Sequence, residues 1–223
     1  MTFRNRVDAG RQLAAALGRY SGRSDVVVLA LPRGGVPVAF EVARALGAPL
    51  DVFLVRKIGV PGHPELAMGA IAEGGVRVLN QGLIGDIGIP SAAVEQVVVR
   101  ERLELERRDR LYRDGRSLPV LKGRTVIIVD DGLATGATME AAVHALRQIT
   151  DGSIVVAAPV GAPDTCERLR EISDDVICVV TPTTFDAVGL SYEDFSQTTD
   201  EEVQSLLAAA MRSPAAFSPT AAE

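Results

Sequence analysis

The stretch 126–138, Val-Ile-Ile-Val-Asp-Asp-Gly-Leu-Ala-Thr-Gly-Ala-Thr, constrains this chain more than any other feature. Val126, Ile127, Ile128 and Val129 are apolar at every position, which specifies a strand covered on both faces. Asp130 and Asp131 stand where that strand ends, so the polar chemistry lies at its carboxyl end. Gly132 and Gly136 allow backbone conformations closed to other residues, and the Thr135 and Thr138 hydroxyls can cap a helix beginning near Met139. Such a turn offers several N–H groups and the positive end of a helix dipole, a combination suited to a phosphate monoester.

Carboxylates do not hydrogen-bond a phosphate, but they accept hydrogen bonds from a vicinal diol or hold a hydrated divalent cation. A 5-phosphorylated ribose carries phosphate and diol together. Any one of these residues alone is ordinary in a strand-to-helix turn; their joint occurrence is not. Neither Gly-x-x-x-x-Gly-Lys-Ser/Thr nor Gly-x-Gly-x-x-Gly occurs, so a P-loop is a poor fit.

Upstream, the apolar run 26–31 leads into Pro32-Arg33-Gly34-Gly35 and a helical pattern over 36–46. Paired glycines let backbone approach a ligand, and Arg33 adds a charge suited to diphosphate; the plainer alternative is a tight turn with a surface arginine. Residues 50–58 read as a further strand with Arg56 and Lys57 at its carboxyl end. Alone, such cations are solvated surface charges, and their link to a ligand rests on the neighbouring motifs. The turn-rich segment 59–65, with 66–72 and 76–79 as a hairpin across Glu73-Gly74-Gly75, reads as a flap carrying His63 and Glu65.

Residues 5–20 form a helical pattern with Val7, Leu13, Ala14 and Leu17 on one stripe. The segment 90–112 reads as one long charged helix, in which Glu104 and Arg108, and Glu106 and Arg110, are spaced to support a solvated face. A helix to 149, a strand over 153–159, a helix over 162–172 and a strand over 175–180 complete the alternation. This predicts an α/β fold: a Rossmann-like parallel sheet with helices on both faces and ligands at the strands' carboxyl ends. The scarce aromatics gather in 181–197, either as a satellite core, favoured for Phe185, or as a hood that stacks on a planar acceptor, favoured for Tyr192. Asp200 to Met211 is a closing helix. Residues 1–212 are expected to form one domain, with the flap at 58–80, the hood at 181–197 and a disordered tail at 213–223.

A net charge of −6 argues against a nucleic-acid-coating surface. No apolar run approaches membrane-spanning length and no signal-peptide core precedes residue 20, so a cytoplasmic protein is expected, without membrane or nucleic-acid partners. Cys166 and Cys178 form no Cys-x-x-Cys pair. With only His63 and His144 beside them, spacing assembles no zinc site.

The stretch 126–138 closely resembles, without a gap, the phosphoribosyl diphosphate (PRPP) motif of type I phosphoribosyltransferases. From Val26 to Val180 the Gly-Gly loop, Arg-Lys strand end, flap and Asp-Asp motif follow that family's order. The chain looks most like a broad bacterial group of unassigned acceptor, in which the Arg-Gly-Gly, Arg-Lys-Ile-Gly and Phe-Asp-Ala-Val-Gly segments recur. The resemblance implies Mg²⁺-dependent transfer of 5-phosphoribosyl from PRPP to a nitrogen acceptor, with release of diphosphate. It implies that Asp130 and Asp131 hold the ribose hydroxyls, and that Gly132, Leu133, Ala134, Thr135, Gly136, Ala137 and Thr138 cradle the 5-phosphate. Arg33, Gly34, Gly35, Arg56 and Lys57 fall to the diphosphate, and Glu65 and Tyr192 to the acceptor. Mg²⁺ is carried mainly by PRPP oxygens and water, with no protein ligand assigned. The flap closes over PRPP, and a homodimer is allowed.

A PRPP-sensing regulator that keeps the fold without turnover is the alternative. Ala134 stands where the resembling 6-oxopurine enzymes carry an aspartate that meets N7 of the base, which predicts poor use of hypoxanthine and guanine unless Glu65 or Glu73 replaces it. The local string is more like the adenine enzymes, while the flap departs from theirs.

Overall fold

In the computed structural model, which describes residues 2–114 and 116–212, the apolar runs become the centre of a parallel sheet; the expected tail at 213–223 lies outside the described residues. The elements are α1 (Arg6–Ala16), β1 (Val26–Ala30), α2 (Gly35–Leu46), β2 (Leu50–Val52), β3 (Val55–Val60), β4 (His63–Ala72), β5 (Arg77–Leu79), α3 (Gln81–Ile87), α4 (Ser91–Arg113), β6 (Thr125–Val129), α5 (Ala137–Ile149), β7 (Ile154–Val160), α6 (Pro163–Ile172), β8 (Asp175–Val180) and α7 (Asp200–Met211). The main sheet has the order β2-β1-β6-β7-β8, with every neighbouring pair parallel. Among the described residues no helix is long and apolar enough to cross a membrane.

The lack of polar alternation in the central strands has a direct cause. Val26, Val28, Ala30, Ile127 and Val129 pack with α1, α2 and α7 on one face. Val27, Leu29, Val126 and Ile128 pack with α5 and α6 on the other. Successive side chains point to opposite faces, so helices on both sides require every position to be apolar. From β1 the chain passes to β2 on one side and later returns to β6 on the other, which places the topological switch point between the carboxyl ends of β1 and β6. Ala30 pairs with Val129, so the glycine loop and the Asp-Asp turn leave the sheet side by side.

The expected strand 50–58 is two strands in two sheets. Pairing with β1 stops at Val52. Leu54 N then donates to Glu73 Oε1 at 2.8 Å, and β3 pairs antiparallel with β4, itself antiparallel to β5. Arg113 enforces the break. Its buried guanidinium donates to Asp51 Oδ1 at 3.1 Å, to Val52 O, and to Glu73 Oε1 at 3.1 Å. The apolar residues 52–55 run through this division without a break, so the sequence does not show it. Arg56 and Lys57 therefore lie within the first strand of the second sheet, not at the carboxyl end of a core strand.

The hairpin across Glu73–Gly75 is present as a 3-10 turn. Helix α1 stops at Ala16 and buries Ala9, Gly10, Leu13 and Ala14, while Val7, placed on the apolar stripe by periodicity, is exposed. Residues 188–191 form a 3-10 turn that the N-terminal segment completes. Phe3 N donates to Ser191 O at 2.8 Å, Glu193 N to Phe3 O at 2.8 Å and Asp194 N to Arg4 O at 3.0 Å. The hood region is thus completed by the N-terminal segment.

Candidate active site

At the switch point the two loops touch. Leu31 N donates to Val129 O at 2.9 Å, which fixes the β1 loop against the end of β6. A Cβ on Gly35 would stand 2.7 Å from Val129 O, and one on Gly34 would overlap the Asp131 carboxylate. Gly34 has φ −59, a conformation open to any residue, so glycine is required here for space.

Asp130 Oδ1 accepts from Asp131 N at 2.8 Å. Burial, and then the charge of Asp131, hold the Asp130 carboxyl well above the usual carboxylate range. Asp131 Oδ2 accepts from Arg6 Nε at 2.8 Å and lies 2.7 Å from Arg6 Nη2. The Tyr192 hydroxyl donates to Asp131 O at 2.6 Å. Tyr192 itself is buried against Phe3, Ala9 and Val160, and its ring leans on Phe3 and Phe195. Its assignment as a stacking residue for the acceptor is corrected: the ring is covered, and it supports Asp131 from beneath.

The turn 132–136 is held from α6 and β7. Leu133 N donates to Val160 O and Ala162 N to Leu133 O, both at 2.9 Å. The Thr165 hydroxyl donates to Ala134 O at 2.6 Å, and Arg168 Nη2 donates to Thr135 O at 2.8 Å. Gly136 has φ +74, which L side chains rarely adopt, and a Cβ there would stand 2.5 Å from Thr165 Cγ2. The expected hydroxyl caps are corrected as well. Gly136 is the N-cap of α5 with no side-chain bond, and Thr135 Oγ is 3.5 Å from Ala137 N. Apart from that long contact to Ala137 N, no side-chain cap competes with an anion for the first-turn N–H groups of this helix.

The predicted cations divide. Arg56 pairs with Glu101 at 2.7 Å and, with Arg108, lines a small pocket together with Leu31, Pro32 and Thr138. Arg108 had no distinguishing signal in the sequence, where it is one charge in a charged helix. Lys57 follows Arg56 on β3 and so belongs to the opposite face. Arg33 Nη1 stands 3.7 Å from Asp200 Oδ1, which also accepts from the Tyr112 hydroxyl at 2.6 Å. Burial, and then that bond, push Tyr112 up to about 12. Glu73, offered as a replacement carboxylate for the acceptor, is buried and accepts from Arg113 and Leu54 N. The Glu65 side chain lies outside the described residues.

Among the described residues no three His, Cys, Asp or Glu side chains converge to hold a metal ion. The oxygen donors of Asp130 and Asp131 would suit a hydrated divalent cation and do not form a closed metal site.

The family model described as "Phosphoribosyl transferase domain" matches residues 2–194. Relatives from two strains of Mycobacterium tuberculosis, provisionally named phosphoribosyl transferases, are each 50% identical over 210 residues, covering 94% of this chain and 47% of theirs. The chain therefore spans about half the length of the curated relatives it matches. The crystal structure of TT1426 from Thermus thermophilus superposes with a TM-score of 0.84 at 46% identity, covering 93% of this chain and 98% of that one.

Proposed function

This chain belongs to the phosphoribosyl transferase domain family, and we propose from that premise that it transfers the 5-phosphoribosyl group of PRPP to a nitrogen acceptor, releasing diphosphate. The observation that carries this reading is the meeting of Asp130 and Asp131 with Gly34 and Gly35 at the switch point, beside the uncapped start of α5. The 5-phosphate takes the N–H groups of the turn 132–138, and the carboxylates take the ribose hydroxyls. The diphosphate lies along the β1 loop toward Arg56 and Arg108, with Arg33 on the same loop, while Lys57, on the opposite face of β3, is not assigned to it.

The bond from ribose C1 to the diphosphate oxygen breaks as C1 bonds the acceptor nitrogen, which gives up its proton. Positive charge grows on the ring and negative charge on the departing oxygens. Asp130 and Asp131 favour the first and the arginines the second, so both stabilise the transition state more than the ground state. A Mg²⁺ bound with PRPP would add charge neutralisation at the diphosphate.

The test is a screen of purine, pyrimidine and other nitrogen acceptors with PRPP and Mg²⁺, following diphosphate release. Release that depends on one acceptor supports transfer. Tight PRPP binding with no release from any acceptor makes the protein a PRPP sensor instead. With alanine at 134, hypoxanthine and guanine are expected to be poor acceptors, because the general base that commonly contributes on the order of 10² to 10⁴ in rate is missing at that position.

A further inference from the structure

Arg6 carries no motif, yet it is the side chain most closely engaged with Asp131. Asn5 Oδ1 accepts from Asp8 N at 3.0 Å and so starts α1 at a defined residue, which sets Arg6 in the first turn facing the switch point. Its Nε and Nη2 both meet Asp131 Oδ2, its Nη1 donates to Ser196 O at 2.7 Å, and its guanidinium carbon lies 4.0 Å from the centre of the Phe195 ring. Both partners of the pair are enclosed, with side chains 12% and 15% exposed. A solvated surface pair would leave its geometry loose; this one fills both edges and one face of the planar fork, which fixes direction as well as charge.

Asp131 is consequently held through its backbone N, its backbone O and its Oδ2. Among the described residues no N–H group donates to Oδ1, so it is the oxygen left to accept from a ligand. We infer that Arg6 is a positioning residue for a vicinal diol: it orients Asp131 so that Oδ1 is presented to a sugar hydroxyl, from a seat shared by the N-terminal segment and the hood. The seat combines the start of α1 with Phe195 and Ser196 of the hood. This rests on the phosphoribosyl reading above and adds to it a determinant of ribose over 2-deoxyribose.

Calorimetry with ribose 5-phosphate and 2-deoxyribose 5-phosphate, on the wild-type protein, Arg6→Gln and Arg6→Lys, tests the assignment. The wild type is expected to prefer the ribose form by roughly 10- to 100-fold, the range of one hydrogen bond to a charged group. Arg6→Gln is expected to lose most of that preference while 2-deoxyribose 5-phosphate binds as before. Arg6→Lys, which keeps the charge but not the fork, falls between. A preference retained in full by Arg6→Gln overturns the inference and leaves the phosphoribosyl reading standing. An equal loss for both sugars also overturns it, by reducing Arg6 to a structural role. If the wild type shows no preference, the diol assignment itself fails and the inference falls with it. Should Arg6→Gln not fold, Arg6→Lys decides: an undiminished preference there overturns the inference, and a reduced one supports it.

Discussion

Gly34 and Asp131 belong to loops nearly a hundred residues apart, yet the space a Cβ would take on Gly34 is already filled by the Asp131 carboxylate. The glycine of one loop is thus what lets the acid of the other stand beside it. Gly34→Ala is compatible with the local backbone, so the side chain of Asp131 gives way and leaves Arg6. The expected outcome is a melting temperature near that of the wild type with PRPP affinity lowered on the order of 10-fold or more, as for the loss of a charge-assisted hydrogen bond. Unchanged affinity by calorimetry would show that Asp131 does not touch the ligand.

Asp130 titrates higher in the folded chain than the 3.8 of an unperturbed aspartate, because burial and Asp131 disfavour its charge. The folded state therefore holds that proton more tightly than the unfolded state, and stability is lost as pH rises from the unfolded value through the folded one. Asp130→Asn keeps an acceptor for Asp131 N and removes the charge. It is expected to melt higher than the wild type at pH 7, with the difference closing below pH 3.8, while binding PRPP less well. Thermal scans across pH check this, and a variant that melts lower at pH 7 contradicts it.

Arg113 joins Asp51, Val52 and Glu73, and so ties β2 to the turn that ends β4. Arg113→Leu leaves two buried carboxylates unpaired, at a cost of about 3–5 kcal/mol. Urea titration measures it. A loss below about 1 kcal/mol would mean the network is not what holds the second sheet to the first.

Gly161 pairs with Leu133 of the phosphate turn, and a Cβ on it would stand 2.6 Å from Cys166 Sγ and 3.0 Å from Cys178 Sγ, two sulfurs themselves 3.3 Å apart. Gly161→Ala overpacks this point and is expected to cost about 1–3 kcal/mol. In the double variant with Cys166→Ala the cost shrinks, since one of the obstructing atoms is gone. Additive losses in the two single variants would place the strain elsewhere.

What the sequence determined by itself is whatever depends on neighbours along the chain. Unbroken apolar runs at 126–129 and 26–30 require strands covered on both faces, and hence the layered parallel sheet. The acids and glycines that follow them require a turn at a carboxyl end, so the two central loops were legible before any coordinates. Tertiary structure alone decided which side chains meet across that frame. The apolar residues 52–55 carry no break of their own, and buried Arg113, about sixty residues on, marks where the run 50–58 divides between two sheets. Tyr192 looks free to stack until Phe3 covers it, and Arg108 is one charge among many until α4 carries it to Arg56. Arg6 and Asp131 have no pattern that links them, because an ion pair over 125 positions leaves no periodicity in the sequence. Local propensity sets elements and their ends; the pairing of distant polar groups follows from packing, which single-chain periodicity does not encode.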